Sequence, residues 1–289
     1  MIATAPGKLI LTGEYAVLDG APAIVVAIDR RAIARRGGEV TTSPYVLAVA
    51  AELGGEAGEI ARRVVVDTSA LYDGELKLGL GSSAAATVAA TACAGVPRDR
   101  ILQIALAAHG NAQALRGARG SGADVAAAVH GGTIAFEAGR VRRLAWPDGL
   151  LLVPFFTGAA ADTATLVARV AALRTPDVAA ALAAIGDASR AAEAALDVQA
   201  FARAGEAIDQ LARATRIALV PPCVAAARSA LAALGGTAKT TGAGGGDVGV
   251  AVLPATADAT EAARLLIEAG CKPLRLSVDE TGVDTRPAT

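Results

Sequence analysis

The chain has 289 residues, 53% of them hydrophobic, so it is long enough to bury a large core in one or two domains. It carries 27 basic and 28 acidic side chains, a net charge of −1, with no basic run or stripe, which excludes a general nucleic-acid binder. The cysteines Cys93, Cys223 and Cys271 lie far apart, with no CxxC pair and no metal-ligand spacing, which predicts reduced thiols in a cytoplasmic protein.

The first residues predict strands and not a targeting segment. Met1 to Pro6 lacks the basic and apolar regions of a secretory signal. Leu9–Leu11 and Ala23–Ile28 are short runs rich in Leu, Ile and Val, separated by the turn signal Asp19-Gly20. Val64–Val66 predicts a third strand.

The uncharged stretch from Leu78 to Pro97 is long enough to suggest a membrane span. It consists mostly of Gly, Ala, Ser and Thr, with few large apolar residues, so we predict a buried loop and helix and no membrane contact. A serine is expected to cap this helix after Gly81.

Later segments predict strands and then mostly helices. Arg100–Leu115 has apolar residues at helical spacing, and Asp124–Val129 predicts a short helix. The further predicted elements are strands at 133–136, 150–156, 248–253 and 274–278, Ala-rich helices from 163 to about 219, and a helix at 224–234. A boundary near Pro147-Asp148-Gly149 divides the chain into predicted domains at 1–148 and 149–289, of α+β class.

The sharpest local feature is the loop Lys77-Leu78-Gly79-Leu80-Gly81-Ser82-Ser83-Ala84 before a predicted helix. Glycines allow close backbone approach, and a helix start directs free N–H groups and a positive dipole at a ligand, which favours a nucleotide phosphate chain. A tight strand-to-helix turn is the structural alternative. The dinucleotide pattern G-x-G-x-x-A also fits Gly79 to Ala84, but the acidic residue expected after it is missing, and no Walker A pattern occurs.

A second glycine-rich loop runs from Lys239 to Asp247. A flexible linker is one interpretation. Because the loop lies between two apolar segments, a loop that closes over a ligand is the better prediction.

Together with Ala5-Pro6-Gly7-Lys8-Leu9-Ile10-Leu11-Thr12-Gly13-Glu14-Tyr15, these two loops resemble the three motifs of the GHMP kinase superfamily, in the family's order. Within it the chain looks most like the phosphomevalonate kinases. The residues that carry this finer resemblance are Glu14-Tyr15, Lys77 directly before the loop, Gly120 to Ala126, Thr157-Gly158 with Asp162-Thr163, and Asp247. The chain is short for that group, and Gln113 lies where mevalonate kinases have a Mg²⁺-binding Glu.

The resemblance implies a two-domain GHMP kinase fold, with an N-terminal domain like that of a small-subunit ribosomal protein and a ferredoxin-like C-terminal domain. It implies ATP and Mg²⁺ as cofactors, (R)-5-phosphomevalonate as small-molecule partner, and a monomer or homodimer. Implied catalytic residues are Lys8 and Asp124. Implied ATP-binding residues are Lys77, Gly79, Leu80, Gly81, Ser82, Ser83 and Ala84, with Ser83 as metal ligand. Implied substrate-binding residues are Lys8, Tyr15, Ser121, Gly122, Asp124, Lys239, Gly242, Ala243, Gly244 and Gly245.

Plainer interpretations remain open for several residues. Lys8 could be a surface lysine at a strand end, and Asp124 a helix-capping aspartate. Lys77, Lys239 and Arg119 could neutralise anionic substrates or simply be solvated. His109 and His130 are interpreted as ordinary helix or turn residues. Other open functions are mevalonate kinase, diphosphomevalonate decarboxylase and a non-catalytic ligand-binding regulator. Retention of both Lys8 and Asp124 disfavours the non-catalytic regulator.

Overall fold

The computed structural model describes residues 1–173 and 175–287. It contains β-strands and α-helices in both halves of the chain, so the predicted α+β class is confirmed. In chain order these elements are β1 (Ile2–Thr12), β2 (Ala23–Arg36), α1 (Pro44–Leu53), α2 (Gly55–Arg62), β3 (Val64–Asp67), β4 (Tyr72–Asp73), β5 (Leu76–Lys77), α3 (Ser82–Cys93), α4 (Arg98–Ala114), α5 (Ala123–His130), β6 (Thr133–Glu137), β7 (Arg140–Leu144), β8 (Leu150–Phe156), α6 (Thr163–Ala172), α7 (Pro176–Ala194), α8 (Val198–Thr215), α9 (Pro222–Leu231), β9 (Thr237–Thr240), β10 (Val248–Pro254), α10 (Ala259–Glu268), β11 (Lys272–Pro273) and β12 (Asp284–Arg286).

The first sheet is antiparallel, with strand order β12-β1-β2-β6-β7, and β3 pairs with the far end of β2. Strands β1 and β2 form its centre, with Lys8 opposite Ala27 and Leu9 opposite Val26. The last strand, β12, returns from the C-terminal end of the chain to pair with β1. Residues 284–286, which the predicted boundary assigns to the C-terminal domain, are therefore part of the first sheet.

Helices α3 and α5 pack on β1 and β2, and α4 packs against α3 and α1. Helix α3 is buried along almost its whole length because its side chains are small enough to pack on every side. The uncharged stretch after Leu78 is thus a core helix, as predicted. Within the part of the chain that the structure describes, no helix combines the length and hydropathy that crossing a membrane requires.

The second sheet is also antiparallel, with order β11-β8-β10-β9, and α8, α9 and α10 pack against it. Strand β10 lies at its centre, and six of its seven residues are buried, as expected for a strand covered on both faces. The paired helices α7 and α8 contact strands of both sheets and so join the two halves.

Three details of the predicted elements were wrong. The strand expected at 274–278 is absent apart from a single bridge between Val278 and Ile28, and the short strand β11 lies just before this span. Helices α1 and α2 were not predicted. The helix after Gly81 begins at Ser82, and no side chain caps it.

Candidate functional site

Lys8 lies on β1 where this strand passes the glycine loop. Gly7 makes the approach possible, because a Cβ atom there would stand 2.7 Å from the carbonyl oxygen of Leu80. The Lys8 N–H donates to that same oxygen over 2.9 Å, and its ammonium donates to the oxygen of Gly79 over 3.3 Å. The first and second motifs are thus joined at Lys8.

The glycine loop holds a left-handed backbone at two positions. Gly79 has φ +74° and Gly81 has φ +78°, a region that side chains disfavour. Gly81 occupies the N-cap position of α3 and has no side chain to bind the first N–H groups. These donors, and the positive end of the helix dipole, are therefore free for an anion.

The Lys8 ammonium faces two carboxylates. Burial lowers its pKa from the usual value of 10.5, while Asp124 and then Asp247 act in the opposite direction. The cost of burial outweighs both attractions. An anionic ligand beside Lys8 would stabilise the charged ammonium and so oppose the effect of burial on its pKa.

Asp124 is the second residue of α5, so it lies in the first helical turn without being the N-cap. Its Oδ1 accepts from the N–H of Val125 over 2.9 Å. Ser121 stabilises the turn before the helix, since its hydroxyl accepts from the N–H of Ala123 over 3.2 Å. These contacts fix the carboxylate beside Lys8.

Asp247 closes the third motif with φ +55°, an uncommon backbone conformation for a residue other than glycine. Its Oδ1 accepts from the N–H of Ala161 over 3.0 Å, and its other oxygen packs on Gly79. Burial raises the pKa of this carboxyl, although the Ala161 N–H and the charges of Lys77 and Lys8 oppose the rise. Asp247 thus links the third motif to the glycine loop.

The first and third motifs meet directly. The Tyr15 hydroxyl donates to the oxygen of Ala243 over 2.6 Å, and this contact spans 228 residues of sequence. Gly244 packs on the backbone of Leu219, where any side chain would clash. The Gly245 N–H donates to the same Leu219 oxygen over 2.7 Å.

A buried ion pair joins the same two motifs. Lys239 donates to Glu14 Oε1, and each side chain is only 1% exposed. The Lys239 ammonium also donates to the oxygen of Thr240 over 2.6 Å, while Glu14 Oε2 is buried without a partner. Lys239 therefore faces the protein interior, and direct contact with a ligand would require this pair to open.

Two adjoining cavities lie among these elements. The inner cavity is lined by Lys8, Tyr15, Ser121, Asp124, Gly242 and Asp247, among others. The outer cavity is lined by Lys77, Gly81, Ser82, Ser83, Arg116 and Asp162, among others. The residues that line both are Lys8, Gly79, Gln113, Arg119, Asp124, Thr163 and Val167. We call this shared region the junction.

The structure brings most of the predicted residues to the cavities. Among the predicted ATP-binding residues, those on the outer cavity are Lys77, Gly79, Gly81, Ser82 and Ser83. Among the predicted substrate-binding residues, those on the inner cavity are Lys8, Tyr15, Ser121, Asp124, Gly242, Ala243 and Gly244. The predicted residues that line neither cavity are Leu80, Ala84, Gly122, Lys239 and Gly245.

Sequence reasoning missed a contact behind Ser83. The Ser83 hydroxyl lies 3.1 Å from Nε2 of His109, which is 2% exposed and stacks on Tyr45 with ring centroids 5.2 Å apart. His109 was interpreted as an ordinary helix residue, and the helical spacing of α4 gave no sign of this partner. Asp247 was noticed only as the end of a motif, because its position beside Lys8 depends on the fold.

The side-chain oxygens of the outer cavity fit a magnesium ion that binds mainly to a ligand's phosphates. No group of three or more His, Cys, Asp or Glu side chains suited to a metal was found among the described residues. Mg²⁺ commonly keeps several waters and uses one or two protein oxygens together with substrate phosphates. Ser83 and Asp124 are oxygen donors that line the outer cavity.

Comparison with known proteins gives concordant matches. The model of the GHMP kinases N terminal domain matches residues 43–132. The phosphomevalonate kinase of Streptomyces sp. (strain CL190) is 29% identical, across 96% of this chain and 97% of that protein. The mevalonate kinase of Archaeoglobus fulgidus is 33% identical, across 85% of this chain and 90% of that protein.

The fold also matches solved structures. Streptococcus pneumoniae phosphomevalonate kinase, in complex with phosphomevalonate and AMPPNP, aligns with a TM-score of 0.75. The alignment covers 96% of this chain and 99% of that chain at 16% identity, so it is a similarity of fold.

Proposed function

Because the chain belongs to the GHMP kinase family of phosphotransferases, we propose that it transfers the γ-phosphoryl group of ATP to (R)-5-phosphomevalonate. The observation that carries the proposal is the position of Lys8. Its ammonium donates to the Gly79 carbonyl and is influenced by the charge of Asp124, and all three residues line the junction of the two cavities. A cation at that point would offset the charge that develops during phosphoryl transfer.

The outer cavity suits the nucleotide. The free N–H groups at the start of α3 and the ammonium of Lys77 would bind its phosphates, directing the γ-phosphoryl group toward Lys8. Mg²⁺, held by Ser83 together with the nucleotide phosphates, would neutralise part of their charge. In this arrangement His109 orients the Ser83 hydroxyl.

The inner cavity suits the acceptor. An oxygen of the acceptor's phosphate forms a bond to the γ-phosphorus, while the bond from that phosphorus to the β–γ bridging oxygen breaks. ADP leaves with the electron pair of the broken bond. The products are the diphosphate of mevalonate and ADP, and atoms and charge balance without a further reactant.

Asp124 has a positioning role in this reaction. The second pKa of a phosphomonoester is about 6, so the acceptor is largely a dianion at neutral pH and needs no general base. Asp124 therefore holds Lys8 and the acceptor in line. An alcohol acceptor would instead require a base to accept its proton.

The Streptomyces phosphomevalonate kinase supports the choice of acceptor, because it aligns with nearly the whole chain. The Archaeoglobus mevalonate kinase favours mevalonate as the second candidate. The two alternatives differ in whether the acceptor already carries a phosphate.

A coupled assay of ADP release distinguishes the candidates. The protein is given ATP, Mg²⁺ and, separately, mevalonate, phosphomevalonate, diphosphomevalonate or a sugar. Turnover of phosphomevalonate with little turnover of mevalonate is expected. Turnover of mevalonate alone would remove the acceptor assignment and leave the kinase family, and no ADP release with any acceptor would favour a non-catalytic role.

A further inference from the structure

The junction determines which part of an acceptor meets the nucleotide. Any atom that attacks the γ-phosphorus has to reach it there, because the inner and outer cavities share those walls. Among the described residues that line both cavities, the cations are Lys8 and Arg119. Lys8 lies on β1 of the first sheet, and Arg119 lies in the loop between α4 and α5.

Arg119 lines the inner cavity and is anchored next to it. Its Nη2 donates to the carbonyl oxygen of Leu18 over 2.7 Å, so the guanidinium is held between the α4–α5 loop and the segment after the first motif. A guanidinium has five N–H donors in a planar fork, and one contact to a carbonyl leaves most of them for another ligand. That fork matches two oxygens of a phosphate.

The charge around the junction calls for a second cation when the acceptor is phosphorylated. Asp124 and Asp247 both face Lys8, so its single positive charge is already opposed by two carboxylates before any ligand enters. An alcohol acceptor would bring no phosphate of its own to this point. A phosphomonoester would bring nearly two negative charges beside the γ-phosphate.

Arg116 gives a natural comparison on the same loop. It lies three residues before Arg119 and lines the outer cavity, but not the inner one. Its Nη1 lies 3.4 Å from the hydroxyl of Tyr45, on the side of the glycine loop. Of these two arginines, only Arg119 therefore borders the inner cavity, where the acceptor is proposed to bind.

We propose that Arg119 binds the phosphate of a phosphomonoester acceptor and is the residue that makes the enzyme select the phosphorylated acceptor over the corresponding alcohol. The inference rests on the proposed function, since it concerns the acceptor of that reaction. It assigns the preference for a phosphorylated acceptor to a single side chain. It also gives the contact between Arg119 and Leu18 a purpose, which is to preset the guanidinium before the acceptor arrives.

The test compares Arg119→Ala, Arg119→Lys and Arg116→Ala with the wild type. For Arg119→Ala we expect the KM for phosphomevalonate to rise roughly ten- to a hundred-fold, as for the loss of a charged hydrogen bond. The KM for ATP should change less than about threefold. Arg119→Lys should restore only part of the loss, because an ammonium has no bidentate fork. Arg116→Ala should raise the KM for ATP and leave that for the acceptor unchanged.

Calorimetric binding of phosphomevalonate to the nucleotide-free protein gives a readout without catalysis. Arg119→Ala should weaken this binding by the same factor as it raises KM, and circular dichroism should show an intact fold. Unchanged acceptor KM and binding in Arg119→Ala, with phosphomevalonate a good substrate of the wild type, would overturn the role of Arg119 and leave the proposed function. If the wild type turns over mevalonate but not phosphomevalonate, the proposed function fails first.

Discussion

At the scale of single residues, Lys8 shows the conflict between stability and function most directly. Burial lowers its pKa, which means that the folded protein pays to keep the ammonium charged near neutral pH. A lysine whose pKa falls on folding destabilises the folded protein at pH values below its folded pKa, and this penalty disappears as the pH rises through the unfolded value of 10.5. Active sites commonly keep such a cost because the charge is needed for the reaction.

Lys8→Met is therefore expected to increase the free energy of unfolding at pH 7 while it lowers turnover on the order of a thousand-fold. The gain in stability should shrink as the pH rises toward 10.5 and disappear above it, because only above 10.5 is the wild-type lysine neutral in both the folded and the unfolded state. Urea denaturation at several pH values measures the first effect and the ADP assay measures the second. A variant that is less stable than the wild type at pH 7 would contradict this account.

Asp124 tests the chemistry of the acceptor. Loss of a general base would lower turnover by roughly a hundred- to ten-thousand-fold. Asp124→Asn should lower the turnover of phosphomevalonate by less than that. The wild-type pH–rate profile should follow the second pKa of the acceptor, near 6. A limb with a carboxylate-like pKa in the wild type, absent from the variant, would instead identify Asp124 as a base.

At the scale of elements, the start of α3 depends on glycine. A Cβ atom on Gly81 would lie 2.9 Å from Cε of Lys8, and φ is +78° there. The same backbone region occurs at Gly139 in the β6–β7 turn, where φ is +84° and nothing lies within 4 Å of an added Cβ. A comparison of substitutions at these two glycines therefore distinguishes the cost of the left-handed backbone from the displacement of Lys8.

Gly81→Ala and Gly139→Ala should each cost about 1–2 kcal/mol of stability through the left-handed backbone. Only Gly81→Ala should displace Lys8, and we expect its turnover to fall at least about tenfold while that of Gly139→Ala stays near wild type. Thermal unfolding and the ADP assay provide the two measurements. Equal turnover in the two variants would mean that Lys8 tolerates the displacement.

At the scale of the whole molecule, the first and third motifs are held together by contacts that cross between the halves of the chain. They include the buried pair Glu14–Lys239 and the bond from Tyr15 to Ala243. A buried ion pair adds little net stability, but removing one partner leaves an uncompensated charge. The exposed pair Lys272–Asp73 also connects distant segments, with side chains 66% and 48% exposed.

Lys239→Met should destabilise the protein by about 3–5 kcal/mol, since it leaves Glu14 buried and unpaired. Lys272→Met, the matched control at the surface, should cost less than about 1 kcal/mol. The double variant Glu14→Gln with Lys239→Met should regain much of the loss, because no buried charge then remains. Urea unfolding of all three variants measures these differences, and similar losses in the two single variants would contradict a buried role for the pair.

The sequence by itself determined those features that depend on local chain chemistry. Glycine runs before an apolar helix predicted a loop suited to phosphate, and the order of three motifs predicted the family. The strands β1, β2, β6, β8 and β10 were anticipated from apolar runs, although β1 and β2 extend further than predicted. Local patterns suffice here because turns, helix starts and buried strands each need particular residue types.

Only the tertiary structure decided how distant residues pair. Lys239 was expected to meet the substrate, yet it lies against Glu14, 225 residues away in sequence. The partnership of Ser83 with His109, the carboxylate of Asp247 beside Lys8 and the return of β12 to the first sheet were equally hidden. Such contacts depend on how sheets and helices pack, and the residue types of a short segment carry no information on which distant side chain will fill the space beside it.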